Sequence, residues 1–175
     1  YDFVSMITVD GRLREEAAEA RLMASMMNAL GEELSASKPC VAPTALRCDF
    51  PCAQLLGEDG RDADLFPSVE LGCGWLMGAS NLGEKDGALR FDTEDGEASL
   101  TVHGHKTVIL PWKLDLSSYG CKGASILWAE AEILSFRQTE NGLEVSFVGG
   151  ENARAMLSVG GEKHIVTGKV WTELN

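Results

Sequence analysis

The sequence predicts a mainly β protein: an antiparallel β-sandwich or barrel-like domain preceded by one amphipathic α-helix. Three observations point there. Apolar residues recur at helical spacing only near the N-terminus. After Pro39, short apolar runs alternate with Gly, Asp and Asn turns. Asp86-Gly87, Asp95-Gly96 and Asn141-Gly142 are hairpin-type turn dipeptides. The chain therefore divides into an N-terminal strand, turn and helix (1–38) and an antiparallel β domain (39–175).

Residues 1–12 read as an extended piece in which Val4, Met6, Ile7 and Val9 precede the turn Asp10-Gly11. A helix is predicted over about 13–34. Ala18, Leu22, Met26 and Leu30 recur every four residues, with Met23, Met27 and Leu34 on the next row. Glu15, Glu16 and Glu19 suit the positive end of the helix dipole. Gly31 and the run Ser35-Ala36-Ser37-Lys38-Pro39 stop the helix. The Leu22, Met26 and Leu30 row is the predicted interface, against the β domain, a neighbouring domain or a second copy of the chain in a homo-oligomer. Strands are predicted at 45–49, 75–79, 88–92, 98–103, 107–110, 125–136, 143–148, 153–159 and 164–174, and a long polar loop at 57–68.

Composition narrows the function. The hydrophobic fraction is 45% and the charged fraction 24%, which is enough for a packed core. A net charge of −12 repels phosphate backbones, so nucleic acid is not an expected partner. No stretch approaches the roughly 18 consecutive apolar residues of a membrane span. The five cysteines are odd in number and irregularly spaced, so reduced thiols are expected. With no signal peptide in view, this favours a cytoplasmic setting. The missing initial Met suggests a processed product or a fragment.

No strong catalytic motif is present. Walker A, Gly-x-Gly-x-x-Gly, Gly-x-Ser-x-Gly and His-Glu-x-x-His patterns are all absent, and no cofactor is implied. His103 and His105 could share a strand face, but no third ligand sits at a diagnostic spacing. Cys48 and Cys52 lack Cys-x-x-Cys spacing. The carboxylates in 58–64 lack EF-hand order. No metal site is therefore expected. Among 27 acidic residues no glycosidase pair can be singled out. Trp75, Trp112, Trp128 and Trp171 all fall in the β region. Core packing is the default for such residues. Trp75, Trp112 and Trp128 are the carbohydrate-binding candidates, because an indole face matches the apolar face of a sugar ring.

Two stretches resemble a known family. The first is Tyr1-Asp2-Phe3-Val4-Ser5-Met6-Ile7, then Asp10-Gly11-Arg12-Leu13-Arg14-Glu15 and the helix. It resembles the end of the catalytic barrel in family 35 and related β-galactosidases. The second is Gly74-Trp75-Leu76-Met77-Gly78-Ala79-Ser80-Asn81-Leu82, Ser99-Leu100-Thr101-Val102 and Ile109-Leu110-Pro111-Trp112-Lys113-Leu114-Asp115-Leu116. It resembles the β domain that follows that barrel. Here the order is Pro111-Trp112, and Lys113 stands where a small or aromatic residue is expected. The resemblance implies a glycoside hydrolase parent whose catalytic glutamates lie upstream, so no catalytic residue carries over. It implies an accessory region whose partner is the catalytic barrel of the same polypeptide. The alternatives are an independent carbohydrate-binding module and a structural or protein-interaction β-sandwich.

Overall fold

A computed structural model describes residues 10–56, 62–64 and 66–168. The chain is mainly β and antiparallel, with one helix before the strands, and among the described residues no sheet closes into a barrel. Helix α1 spans Glu15–Ser35. Its last turn is closed by Ala36 and Ser37, whose backbone N–H groups donate to Glu33 and Leu34 oxygens (3.2 Å each). Pro39 cannot continue a helix, and the chain turns extended there.

The strands are β1 (Lys38–Cys40), β2 (Leu46–Cys48), β3 (Gln54–Leu56), β4 (Asp62–Asp64), β5 (Ser68–Leu71), β6 (Gly74–Ser80) and β7 (Gly87–Thr93). They continue with β8 (Gly96–Val102), β9 (Thr107–Asp115), β10 (Ala124–Ala129), β11 (Ala131–Thr139), β12 (Gly142–Gly149), β13 (Arg154–Val159) and β14 (Glu162–Thr167). A 3-10 turn, Ser117–Tyr119, separates β9 from β10. Seven strands form the main sheet in the order β1-β5-β6-β9-β10-β13-β14. A three-stranded sheet, β2-β7-β8, and two ribbons, β11-β12 and β3-β4, complete the set.

Several expectations change. The run 125–136 is two strands, broken at Glu130, where the chain leaves the main sheet for the β11-β12 ribbon. Strands β1, β3, β4 and β5 were not anticipated, because three- or four-residue strands carry too little alternation to read. Part of the expected loop 57–68 is therefore strand; positions 57–61 and 65 lie outside the described residues. So do the expected extended segment at 1–9 and the end of the last strand from 169. Asp95-Gly96 and Asn141-Gly142 do close hairpins. Asp86-Gly87 does not: β6 and β7 lie in different sheets, so that connection is a crossover.

Both faces of the main sheet are covered. On one side Met77, Leu110, Trp112, Trp128 and Met156 pack with Leu89, Phe91, Ala98 and Val102 of the three-stranded sheet. On the other, Leu76, Leu114 and Ile126 pack with Met26 and Leu30 of α1 and Ile133 of β11. Residues 15–35 and the sheet thus share one core. Leu30 is fully buried and Met26 nearly so. Each such side chain contributes about 1.5–3 kcal/mol.

The central strands swap faces partway along. In β9, Leu110 and Trp112 belong to the first core but Leu114 belongs to the second. In β10, Ile126 belongs to the second core and Trp128 to the first. Side chains alternate with period two, so one extra residue reverses every later side chain. Lys113 is that residue in β9, with φ +45. Its partner is Leu127 in β10, where the pairing with β13 shifts between Ile126 and Trp128. Gly74 of β6 packs against the bulge: a Cβ there would lie 2.5 Å from the Lys113 carbonyl oxygen.

Where the chain leaves β10, Glu130 is buried and ties three elements together. Its carboxylate accepts the backbone N–H of Ser99 in β8 (2.9 Å) and of Arg154 in β13 (3.0 Å). It also accepts the Arg154 guanidinium, through Nε at 3.0 Å and through Nη2. Burial alone would raise this carboxyl, but the bonds from Arg154 and Ser99 outweigh it and hold the pKa below the ordinary glutamate range.

Candidate functional site

The three candidate tryptophans are neighbours in space. Trp75 pairs with Trp112 across β6 and β9, and Trp112 pairs with Trp128 across β9 and β10. They form a row across the main sheet, which spacing in sequence could not show. That row is not a sugar platform along its length. Trp112 and Trp128 are about 5% exposed and flank Phe91 edge-on, with centroids 6.1 and 6.4 Å away. Their faces are covered by the three-stranded sheet, so these two candidates are core residues. The Trp128 Nε1 is buried without a hydrogen-bond partner among the described residues. Trp171 lies outside the described residues.

Trp75 differs. It is half-buried at the end of the row and lines a shallow, solvent-open cavity of about 530 Å³. Strand β5 supplies Glu70 to this cavity, and the end of β9 with the 3-10 turn supplies Lys113, Asp115, Ser117 and Ser118. Asp115 is fixed by two backbone bonds: its N–H donates to Cys73 O (2.6 Å), and its Oδ1 accepts Ser117 N–H (2.7 Å). The Ser117 hydroxyl and backbone hold the Asp115 carboxyl below its usual range, so it is ionised near neutrality. The Lys113 ammonium is bonded to Glu94 (2.9 Å). An indole beside hydroxyls and an ionised carboxylate can stack on and hydrogen-bond to a polyol. Only Trp75 of this group was a sequence candidate. The rest come from chain segments brought together by the β6–β9 pairing, and no local spacing signals them.

Of the cavity's carboxylates, Asp115 is shifted away from the range of a general acid at neutral pH. Glu132 is the carboxyl whose pKa burial raises, but its Oε1 accepts the Ile109 N–H (2.9 Å) and it does not line the cavity.

The helix row resolves into two faces. Met26 and Leu30 are inside the chain's own core, and Leu22 is half-buried. The expected docking row is thus mostly occupied by the β domain. Met23 and Met27 instead stay 54% and 57% exposed on the outer side, and Leu13 is 65% exposed just before the helix. Glu19 pairs with Lys106 of the β8–β9 turn.

His103 and His105 do not converge. The Nδ1 of His103 bonds Asp86 (2.8 Å), whose other oxygen accepts Gly104 N–H (3.2 Å). His105 sits in the left-handed region at φ +58 within that turn. Among the described residues no group of three His, Cys, Asp or Glu could hold a metal ion. No described helix is long and apolar enough to cross a membrane.

No family model matches the chain, and no curated protein matches it.

Proposed function

We propose that this chain is a non-catalytic accessory region of a β-galactosidase-like glycoside hydrolase, supporting a catalytic barrel carried on the same polypeptide. The observation that carries this reading is the outer face of α1. The helix already buries Met26 and Leu30 in its own domain, yet Met23 and Met27, four residues apart and so neighbours on one helix face, remain exposed. Adjacent exposed apolar side chains of this size mark an interaction surface. The surface lies on the segment whose sequence resembles the junction between barrel and β domain. The native reading frame tests the reading: several hundred residues that form a barrel before Tyr1 are expected. A start codon directly before Tyr1 overturns it.

A second reading, carbohydrate binding by the β domain, is favoured by the Trp75 cavity. Calorimetric titration with galactose, lactose and glucose tests it. Saturable binding that disappears in Trp75→Ala but persists in Met23→Lys is the expected result. The absence of binding at millimolar sugar overturns it.

A further inference from the structure

Cys48 and Cys52 place their sulfurs 3.6 Å apart. The three residues between them are anchored. Cys48 ends β2 opposite Leu89 of β7. The Asp49 N–H donates to Ala88 O (3.2 Å), and its Oδ1 accepts Ala88 N–H (2.5 Å). Phe50 is buried in the core with Leu89 and Phe91. The Pro51 carbonyl accepts Leu82 N–H (2.8 Å), and its ring closes on Gly83, where a Cβ would sit 3.0 Å from Pro51 Cδ. The fold therefore holds the two thiols against each other. A disulfide requires an S–S distance of about 2.0 Å. The sulfurs need to approach by about 1.5 Å, which small χ1 rotations of two short side chains can supply.

We propose that Cys48 and Cys52 form a reversible intrachain disulfide with a small organic disulfide, such as oxidised glutathione, as the oxidant. One cysteine, as thiolate, attacks a sulfur of the small disulfide. That S–S bond breaks, one small thiol leaves, and a mixed disulfide remains on the chain. The second cysteine thiolate attacks the protein sulfur of the mixed disulfide and expels the second small thiol. The chain loses two protons and two electrons, and the small disulfide becomes two thiols. The new bond ties the end of β2, the three-residue edge strand of its sheet, to the segment leading into β3. In a reducing compartment the pair stays a dithiol; in an oxidising one the edge strand is stapled.

Peptide mapping tests the proposal. The purified chain is equilibrated with oxidised glutathione, then denatured in an alkylating reagent and digested with trypsin. Cleavage after Arg47 and Arg61 puts both cysteines in one peptide, 48–61. The expected result is that this peptide is two hydrogens lighter and unalkylated. The count of alkylated thiols falls from five to three and returns to five after dithiothreitol. Cys52→Ser should instead carry glutathione on Cys48. Both cysteines alkylated, glutathione on both without ring closure, or a bond to Cys40, Cys73 or Cys121 would each overturn the proposal. If Cys52→Ser does not fold, the peptide map of the unsubstituted chain decides alone.

Discussion

Glu130 and Glu132 stand two residues apart, and their surroundings treat charge in opposite ways. Glu130 meets a guanidinium and two backbone N–H groups, so its ionised form is the stable one in the folded chain. Its folded pKa lies below the unfolded value of about 4.3. The stability it contributes is therefore complete above that unfolded value and is lost as pH falls through the folded one. Glu130→Ala should cost about 2–3 kcal/mol in urea unfolding at pH 7, less than a fully buried pair because Arg154 reaches solvent. Glu130→Gln should flatten the acid limb of the melting temperature below pH 5. An unchanged acid limb would mean that other carboxylates control it. For Glu132 the sign reverses. Burial raises its folded pKa, so carrying the charge is a penalty. That penalty is absent below the unfolded value and complete above the folded one. Glu132→Gln keeps an oxygen for the Ile109 N–H and should raise the melting temperature at pH 8 while leaving it unchanged near pH 4. Melts at the two pH values check this.

The paired irregularity in β9 and β10 decides which side chains meet which core. Lys113 adopts φ +45, where a side chain costs roughly 1–2 kcal/mol. Its ion pair with Glu94 is exposed and worth about 0–1 kcal/mol. Lys113→Gly should therefore leave stability unchanged or raise it by about 1 kcal/mol. Gly74→Ala should lower it by at least about 2 kcal/mol, because the added methyl meets the Lys113 carbonyl oxygen at 2.5 Å and the Leu114 Cα at 2.7 Å. Urea titrations of both variants measure the difference. A stable Gly74→Ala would show that β6 can draw back from the bulge. Such a bulge is invisible in the sequence because Leu110, Trp112, Leu114 and Leu116 keep an unbroken period of two. Read alone, that pattern puts all four on one face. Only the two opposed cores show the face change.

In the assembled chain, α1 buries one apolar row and leaves Met23 and Met27 exposed. Leu30→Ala should cost about 2–5 kcal/mol, because the side chain is fully enclosed by the sheet. Met23→Lys with Met27→Lys should change stability by less than about 1 kcal/mol, because both positions face solvent. The double variant should abolish any self-association of the chain seen in sedimentation velocity. A dimer that survives it would place the contact elsewhere.

The helix and most longer strands were readable from sequence because local periodicity and turn dipeptides specify them. The helix is confirmed at Glu15–Ser35, and β7, β8 and β12 lie close to their predicted bounds. That Met26 and Leu30 would be apolar contacts was also readable; which partner they meet was not. Leu22, Met26 and Leu30 satisfy the same pattern whether they dock on a sheet, a barrel or a second copy. The tryptophans make the same point. Composition marked them, but the burial of Trp112 and Trp128 and the half-burial of Trp75 depend on how the three-stranded sheet covers the main one. The Trp75 cavity likewise joins Glu70 to Asp115 only through the β5–β6–β9 register. Local sequence sets which elements form, because their hydrogen bonds and side-chain periods are short-range. Long-range strand pairing sets which faces are covered, and so which of the candidate residues remain accessible to a ligand or partner.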